Sequence, residues 1–180
     1  GKIYRFIGNL KIKNKKIFNY KLIKKEIKKL KIKTLQSKNL LSDKVATEAS
    51  IIAKDRKIRK IVHDFQLKCA NHPPKKFKGS ILDGRDITSV IMKNATFKFF
   101  ITADVKIRAF RRYKELKSLK KKITYKEVLK SIKRRDKSDF SRKYSPLKKT
   151  KDSILISTSK LSRRACFLKI KQIMDKKLKA

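Results

Sequence analysis

Apolar residues in the first third of the chain recur at the spacing of helices. Residues 11–33 are almost only Lys, Ile, Leu and Asn, and their pattern predicts one helix with a solvated Lys face. A second helix is predicted to start at Ser42 or Asp43, either of which can cap it, and to run towards Phe65. The sequence Asn-His-Pro-Pro at 71–74 then predicts a break, because proline cannot continue a helix.

Three short apolar runs further along the chain predict β-strands. Residues 97–102 and 153–157 are rich in aromatic or β-branched side chains, as strands are. Residues 79–82 form a third apolar run, which stops at a charged turn, Asp83-Gly84-Arg85-Asp86. Ligands of open α/β sheets bind beyond the carboxyl ends of parallel strands, so this turn is a candidate for the functional site.

Helices are predicted between and after these strands. Asp104 can cap a helix after the strand predicted at 97–102, and Thr124 with Glu127 forms a capping box for the next helix. A closing helix is predicted after the last strand, with an inner side made of Cys166, Phe167, Ile170, Ile173 and Met174. Strands that alternate with helices indicate an α/β fold with a mainly parallel sheet.

The composition of the chain is that of a folded domain, but its net charge raises the question of a polyanionic partner. Its 180 residues are 39% hydrophobic, which is enough for one domain with a core, and the formal net charge is +41. Such a charge ordinarily suggests nucleic acid or an anionic membrane as partner. Lys, Ile and Asn are over-used together, however, as in a chain from an AT-rich genome, and we prefer this explanation. Only 12 of the 55 basic residues are Arg, so clusters of Arg are the better pointers to chemistry.

The cysteines and histidines suggest no metal or redox site. Cys69 and Cys166 are far apart, and neither His63 nor His72 belongs to a metal-binding spacing. No apolar run is long enough to cross a bilayer, and no signal peptide is recognisable at the amino terminus. These features predict a cytosolic protein without a membrane partner.

Three groups of residues could carry chemistry. The first is the charged turn at 83–86, and the second is the segment 135–147, in which Arg135, Asp139 and Arg142 recur at spacings that place them on one face of a helix. The third combines Ser50 and Arg59 with the amino-terminal sequence Gly-Lys-Ile-Tyr-Arg. Each group by itself has an ordinary explanation: a turn, surface ion pairs and a helix cap.

The order of these groups along the chain is more specific than any one of them. It begins with G-x-x-YR, S-x-x-A-x-x-x-x-[VI]-R and DGRD[IM]-x-[TS]-V. It continues with F-x-T-A-x-x-x-x-R-A-x-R-R, IK-x-RD-x-x-D-x-x-R-x-x-[AS]PL and a closing strand followed by [TK]LS. In this order the motifs resemble bacterial cytidylate kinases along nearly the whole chain. The resemblance implies the parallel, helix-flanked sheet of a P-loop nucleoside monophosphate kinase.

The resemblance also implies a reaction and a CMP site. Family members transfer the γ-phosphoryl group of ATP, with Mg²⁺, to CMP or dCMP. Asp86 would accept a hydrogen bond from the cytosine amino group, Arg59 would donate to N3 and O2, and Ser50 would complete the set. Arg135 and Asp139 would serve the ribose, and Arg5, Arg85 and Arg142 would surround the phosphate. Of these, Arg85 and Arg142 are the predicted catalytic residues, because phosphoryl transfer needs charge neutralisation.

By the same resemblance, the chain is a single domain with four regions and is expected to be monomeric. A helical region for binding the monophosphate is predicted at 11–78, core at 79–113, a lid at 114–142 and core again at 143–180. Arg108, Arg111 and Arg112 would border the lid over ATP, unless they only form a solvated helix face.

The family's phosphate-binding loop, GxxxxGK[ST], does not occur among these residues, since the only glycines are Gly1, Gly8, Gly79 and Gly84. The first βα unit, roughly 30 residues by the usual size of such units, is therefore expected to be missing. We expect the chain as given to be inactive. A basic RNA-binding protein, and a pseudokinase that binds CMP without turnover, remain alternatives.

Overall fold

The computed structural model describes residues 1–179, apart from the side chain of Ile32. The chain forms two compact units. The first comprises Gly1–Lys93 with Ser138–Lys148, and the second comprises Asn94–Lys137 with the residues from Lys149 onwards. None of the helices within the described residues is long and apolar enough to span a membrane.

The first unit is helical. Its α-helices are α1 (Lys2–Lys13), α2 (Tyr20–Lys28), α3 (Asp43–Ile52) and α4 (Arg56–Asn71). Two 3₁₀ turns, Ile32–Gln36 and Lys38–Leu41, connect α2 to α3, and a π-helical turn, Ile87–Ile91, follows the charged turn.

The single helix predicted over residues 11–33 is wrong, because α1 and α2 are separate helices. Asn14 ends α1, and its side-chain amide donates to the Leu10 carbonyl at 3.0 Å. Asn19 begins α2, and its side chain accepts from the Leu22 amide at 2.9 Å. Asn side chains compete for backbone hydrogen bonds and therefore favour helix ends over helix interiors.

The second predicted helix is also two helices. Ser42 caps α3 by accepting from the Val45 amide at 3.3 Å, which confirms one of the two predicted caps. The helix ends at Ile52, and Asp55 caps α4 by accepting from the Ile58 amide at 2.9 Å. The predicted end near Asn71 is confirmed. A good capping residue inside an apolar pattern thus starts a new helix instead of continuing the old one.

The core of the first unit consists of aliphatic side chains from all four helices: Ile7, Ile23, Ile27, Ile52, Ile58 and Val62. Helices α1 and α3 approach closely at Gly8. A Cβ atom there would lie 3.0 Å from the Ala49 nitrogen and 3.2 Å from the Val45 oxygen, both of which are backbone atoms. Gly8 therefore sets the distance between α1, which carries Tyr4 and Arg5, and α3, which carries Ser50.

We expect Gly8→Val to lower the free energy of unfolding by about 2 kcal/mol, because overpacking forces the two helix backbones apart. The measurement is urea unfolding of the protein at its natural length. Gly79→Val is the matched control, since a Cβ there meets nothing within 4 Å. Equal stability of the two variants would contradict the close approach at Gly8.

The second unit contains a small parallel sheet. Strand β1 (Phe99–Thr102) pairs with β2 (Ile154–Ser157), with Phe99 opposite Ile154 and Thr102 opposite Ser157. Both strands were predicted, and the helix-rich α/β class with a parallel sheet is confirmed. The predicted strand at residues 79–82 is wrong: the segment is irregular and Ile81 is 97% exposed. An apolar run becomes a strand only by pairing, and within the described residues the sheet has two strands.

Three helices complete the second unit: α5 (Val105–Ser118), α6 (Tyr125–Ser141), whose last residues belong to the first unit, and α7 (Arg163–Lys179). The predicted cap at Asp104 is confirmed, since its carboxylate accepts from the Lys106 amide at 2.7 Å. The capping box is confirmed too: the Thr124 hydroxyl accepts from the Glu127 amide at 3.2 Å, and the Glu127 carboxylate accepts from the Thr124 amide at 2.8 Å.

The inner side predicted for α7 is correct except for Phe167. Cys166, Ile170, Ile173 and Met174 are half-buried, whereas Phe167 is 64% exposed. Helix geometry places Phe167 at the edge of the stripe that the other four residues form, about 20° beyond Met174.

Candidate functional site

Charged side chains of the first unit come together in one cluster. Arg59 lies on α4, Arg85 and Asp86 lie in the charged turn, and Asp139 and Arg142 lie at and just beyond the end of α6. One ion pair joins Arg59 to Asp86, two others join Asp139 to Arg85 and Arg142, and the charges of Arg59 and Asp86 act on the pKa of Arg142. Three guanidinium groups and two carboxylates leave the cluster with one net positive charge.

The most buried part of the cluster is the ion pair between Arg59 and Asp86. Arg59 is 8% exposed and Asp86 6%. Nη2 of Arg59 donates to Oδ2 of Asp86, and Nη1 donates to the Ala53 carbonyl at 3.0 Å. The ring of Tyr4 lies against the guanidinium, with its centroid 5.6 Å from Cζ. A buried charge needs such partners, because removing one partner of a buried pair is strongly destabilising.

Asp139 joins the two other arginines. Its Oδ2 accepts from Nε of Arg85 at 2.8 Å, and its Oδ1 lies 3.5 Å from Nη1 of Arg142. Arg142 also donates through Nε to the Ser145 carbonyl, and the Leu147 amide donates to the Asp139 carbonyl at 2.8 Å. These backbone bonds fix the chain just beyond α6, where Arg142 lies.

One nitrogen of Arg142 has no partner among the described residues. Its Nη2 is buried and makes no hydrogen bond. Burial, followed by the charge of Arg59, lowers the pKa of Arg142, while Asp139 and Asp86 act in the opposite direction. A buried donor without an acceptor is costly, and an anionic oxygen placed beside it would remove that cost.

Tyr4, Arg5 and Ser50 come from the closely packed helices α1 and α3. Burial raises the pKa of Tyr4 to about 12, against the attraction of Arg59, so the phenol stays neutral. Arg5 donates from Nη1 to the Leu40 carbonyl at 2.7 Å. Ser50 is half-buried near the end of α3. All three belong to the same unit as the charged cluster.

The remaining predicted residues lie in the second unit. Arg135 is exposed on α6. Arg108 makes a bidentate pair with Asp136, at 3.0 and 2.7 Å, and donates from Nε to the Ala103 carbonyl at 2.9 Å. Arg111 donates to the Thr158 carbonyl at 2.6 Å, and Arg112 pairs with Glu115 at 2.9 Å.

A sequence model of the family described as "Cytidylate kinase" matches residues 1–176. The chain belongs to the cytidylate kinase family.

Curated cytidylate kinases of several bacteria are similar to this chain. One from Clostridium botulinum is 49% identical over 96 residues, which are 53% of this chain and 41% of that protein. One from Clostridium tetani is 44% identical over 117 residues, or 64% of this chain and 49% of that protein. One from Mycoplasma genitalium is 44% identical over 122 residues, or 67% of this chain and 54% of that protein. The chain thus spans about half the length of the curated cytidylate kinases it matches.

The sequence motifs of this cytidylate kinase family member give no role to two residues, Tyr4 and Asp136, which contact predicted site residues. Tyr4 is part of the first motif without a predicted role, yet Cζ of Arg59 lies over its ring. Asp136 directly follows Arg135 and holds Arg108. The signal for Asp136 was present in the RD pair of the fifth motif, whereas nothing local distinguishes Tyr4 from the core aromatics around it.

Proposed function

We propose that the protein is a cytidylate kinase that transfers the γ-phosphoryl group of ATP to CMP or dCMP, giving CDP or dCDP. One observation carries the proposal. A buried pair with a donor fork and an acceptor, Arg59 and Asp86, adjoins two further arginines that Asp139 holds together. In such an arrangement the buried pair can bind the polar edge of a base, and the two further arginines can bind an anion.

The Arg59 and Asp86 side chains match the edge of cytosine. Cytosine presents an amino donor at N4 and acceptors at N3 and O2. A carboxylate can only accept and a guanidinium can only donate, so Asp86 takes N4 while Arg59 takes N3 and O2. Ser50 completes this set. Uracil presents a carbonyl at position 4 to Asp86 and an N–H at N3 to Arg59, so the contacts at these two positions fail while O2 still accepts.

The arginines of the site bind the acceptor phosphate. Arg5, Arg85 and Arg142 surround it, and the unpartnered Nη2 of Arg142 donates to one of its oxygens. A phosphate oxygen of CMP attacks the γ-phosphorus of ATP, and the bond to the oxygen that bridges the β- and γ-phosphates breaks. Arg85 and Arg142 offset the charge on the acceptor, which is the main catalytic requirement of this reaction.

The remaining assignments follow the family correspondence. Asp139, with Arg135 one turn earlier on α6, is assigned to the ribose, and Arg108, Arg111 and Arg112 to the border of the ATP lid. ATP with Mg²⁺ is the proposed donor. The protein is proposed to be one cytoplasmic, monomeric domain without a specific nucleic-acid partner. Its proposed regions are a monophosphate-binding region at 11–78, core at 79–113, a lid at 114–142 and core again at 143–180. The 180 residues by themselves, in which GxxxxGK[ST] does not occur, are proposed to be inactive.

The test compares CMP and UMP with the protein at its natural length. A buried polar group left unpaired costs about 1–3 kcal/mol, so we expect CMP to bind at least tenfold more tightly than UMP. Titration calorimetry measures both affinities, and a coupled assay with ATP measures turnover.

Equal affinities for CMP and UMP would refute the proposal. CMP-selective binding without turnover would favour the pseudokinase. Tight, sequence-selective RNA binding without CMP preference would favour the basic RNA-binding protein, which the net charge of +41 suggests.

A further inference from the structure

The guanidinium of Arg59 contacts a carbonyl, a carboxylate and an aromatic ring. On the edge, Nη1 donates to the Ala53 carbonyl at 3.0 Å and Nη2 to Asp86. Cζ of the same group lies over the ring of Tyr4, 5.6 Å from its centroid. The ring therefore adds a cation–π contact to the two hydrogen bonds and limits how far the guanidinium can move.

We propose that Tyr4 is a positioning residue for base recognition, because its ring helps to hold the Arg59 guanidinium in place. The inference rests on the proposed function, in which Arg59 donates to N3 and O2 of the base. Two parallel hydrogen bonds to one base edge require the fork to be coplanar with the base. An Arg59 free to tilt would make one good bond instead of two and would discriminate less well.

The ring, not the hydroxyl, is the part of Tyr4 that acts. A cation is attracted to the face of an aromatic ring through the ring's quadrupole, and phenylalanine supplies that face as well as tyrosine does. The phenol stays neutral at every physiological pH, since its pKa is raised to about 12 by burial. It therefore adds no charge to the cluster of Arg59, Asp86 and Arg142.

Tyr4 also packs against the aliphatic core around Ile7, so a purely structural role is the competing explanation. The two roles respond differently to substitution. Tyr4→Phe keeps both the ring and the packing, while Tyr4→Leu keeps apolar packing and removes the ring. The ratio of CMP to UMP affinity separates them, because loss of packing alone weakens both nucleotides equally.

The experiment measures CMP and UMP affinities of the protein at its natural length by titration calorimetry, with urea unfolding alongside. We expect Tyr4→Phe to keep the affinity ratio within about twofold and Tyr4→Leu to reduce it about fivefold, as the strength of a partly buried cation–π contact implies. Tyr144→Leu is the matched control: its ring also lies 5.6 Å from an Arg Cζ, that of Arg56, which has no assigned role in the site. The control should leave the ratio unchanged.

Each outcome decides between explanations. If the unsubstituted protein shows no CMP preference, the proposed function fails and the inference fails with it. If the protein prefers CMP and Tyr4→Leu keeps that ratio, the positioning role is overturned while the proposed function stands. An equal loss in Tyr4→Phe and Tyr4→Leu overturns the role of the ring. Should Tyr4→Leu not fold, Tyr4→Met, whose flexible side chain fills irregular space, gives the same comparison.

Discussion

Arg142→Ala is expected to weaken the binding of CMP and UMP by the same factor, about ten- to a hundredfold, and to leave their affinity ratio unchanged. The reason lies in the buried Nη2 of Arg142, which makes no hydrogen bond to the described residues and is assigned to the phosphate. Hydrogen bonds to charged groups contribute about 1.5–3 kcal/mol, which sets the size of the loss. The variant should fold, because Asp139 keeps its 2.8 Å bond to Arg85.

Cytidine provides the internal check on that result, since it has the base and lacks the phosphate. Its affinity should be the same for Arg142→Ala and the unsubstituted protein. Arg163→Ala, which removes one positive charge from an exposed position of α7, is the control for total charge. A loss of CMP affinity that extended equally to cytidine would remove Arg142 from the phosphate site.

Asp86→Asn is expected to reduce the preference for CMP over UMP about tenfold, mainly by improving the binding of UMP. An amide can accept from N4 of cytosine through its oxygen and can donate to O4 of uracil through its nitrogen, whereas a carboxylate only accepts. The contact of Arg59 with N3 and O2 remains, so part of the preference for CMP survives. The measurement is kcat/KM for each nucleotide, or its affinity.

The choice of Asn matters because it removes the counter-charge of Arg59 but keeps an oxygen that accepts from its Nη2, whereas Asp86→Ala removes both. Breaking a buried ion pair from one side costs about 3–5 kcal/mol, so that variant would report on folding as much as on recognition. Asp152→Asn is the control: it removes a carboxylate that pairs with Lys98 in the second unit. Discrimination that stays unchanged in Asp86→Asn would contradict the base-reading role.

The sequence predicted well those elements whose signals are local. The caps at Asp104 and Thr124 are confirmed because each depends on a side chain and an amide two or three residues away. Strands β1 and β2 are confirmed because their β-branched and aromatic content is concentrated in short runs.

Elements that depend on distant partners were predicted less well. The apolar run at 79–82 has strand-like composition but no described partner, and composition cannot show which segment pairs with which. The helix breaks at Asn14 and Asp55 were missed for another reason. The apolar periodicity continues across both breaks, so only the capping chemistry of single polar residues reveals them.

In the candidate site, too, the sequence predicted which residues take part but not how they pair. The order of motifs singled out Arg59, Arg85, Asp86, Asp139 and Arg142, and the fold brings these residues into one cluster. The pairing within that cluster was not foreseeable. Residues 27 and 54 positions apart pair here, and sequence spacing carries no information about such distances.

Four of the five side chains in the ion-paired cluster, all except that of Arg85, are buried, which separates their electrostatics from those of the lysine-rich surface. Counterions screen exposed charges over about 8 Å at physiological ionic strength but act much less on pairs that water hardly reaches. Arg59, Asp86, Asp139 and Arg142 are all nearly inaccessible. Added salt should therefore suppress nonspecific attraction of polyanions by the lysines while leaving the proposed selectivity for CMP almost intact, so the +41 formal charges and recognition by hydrogen-bond polarity would respond to salt separately.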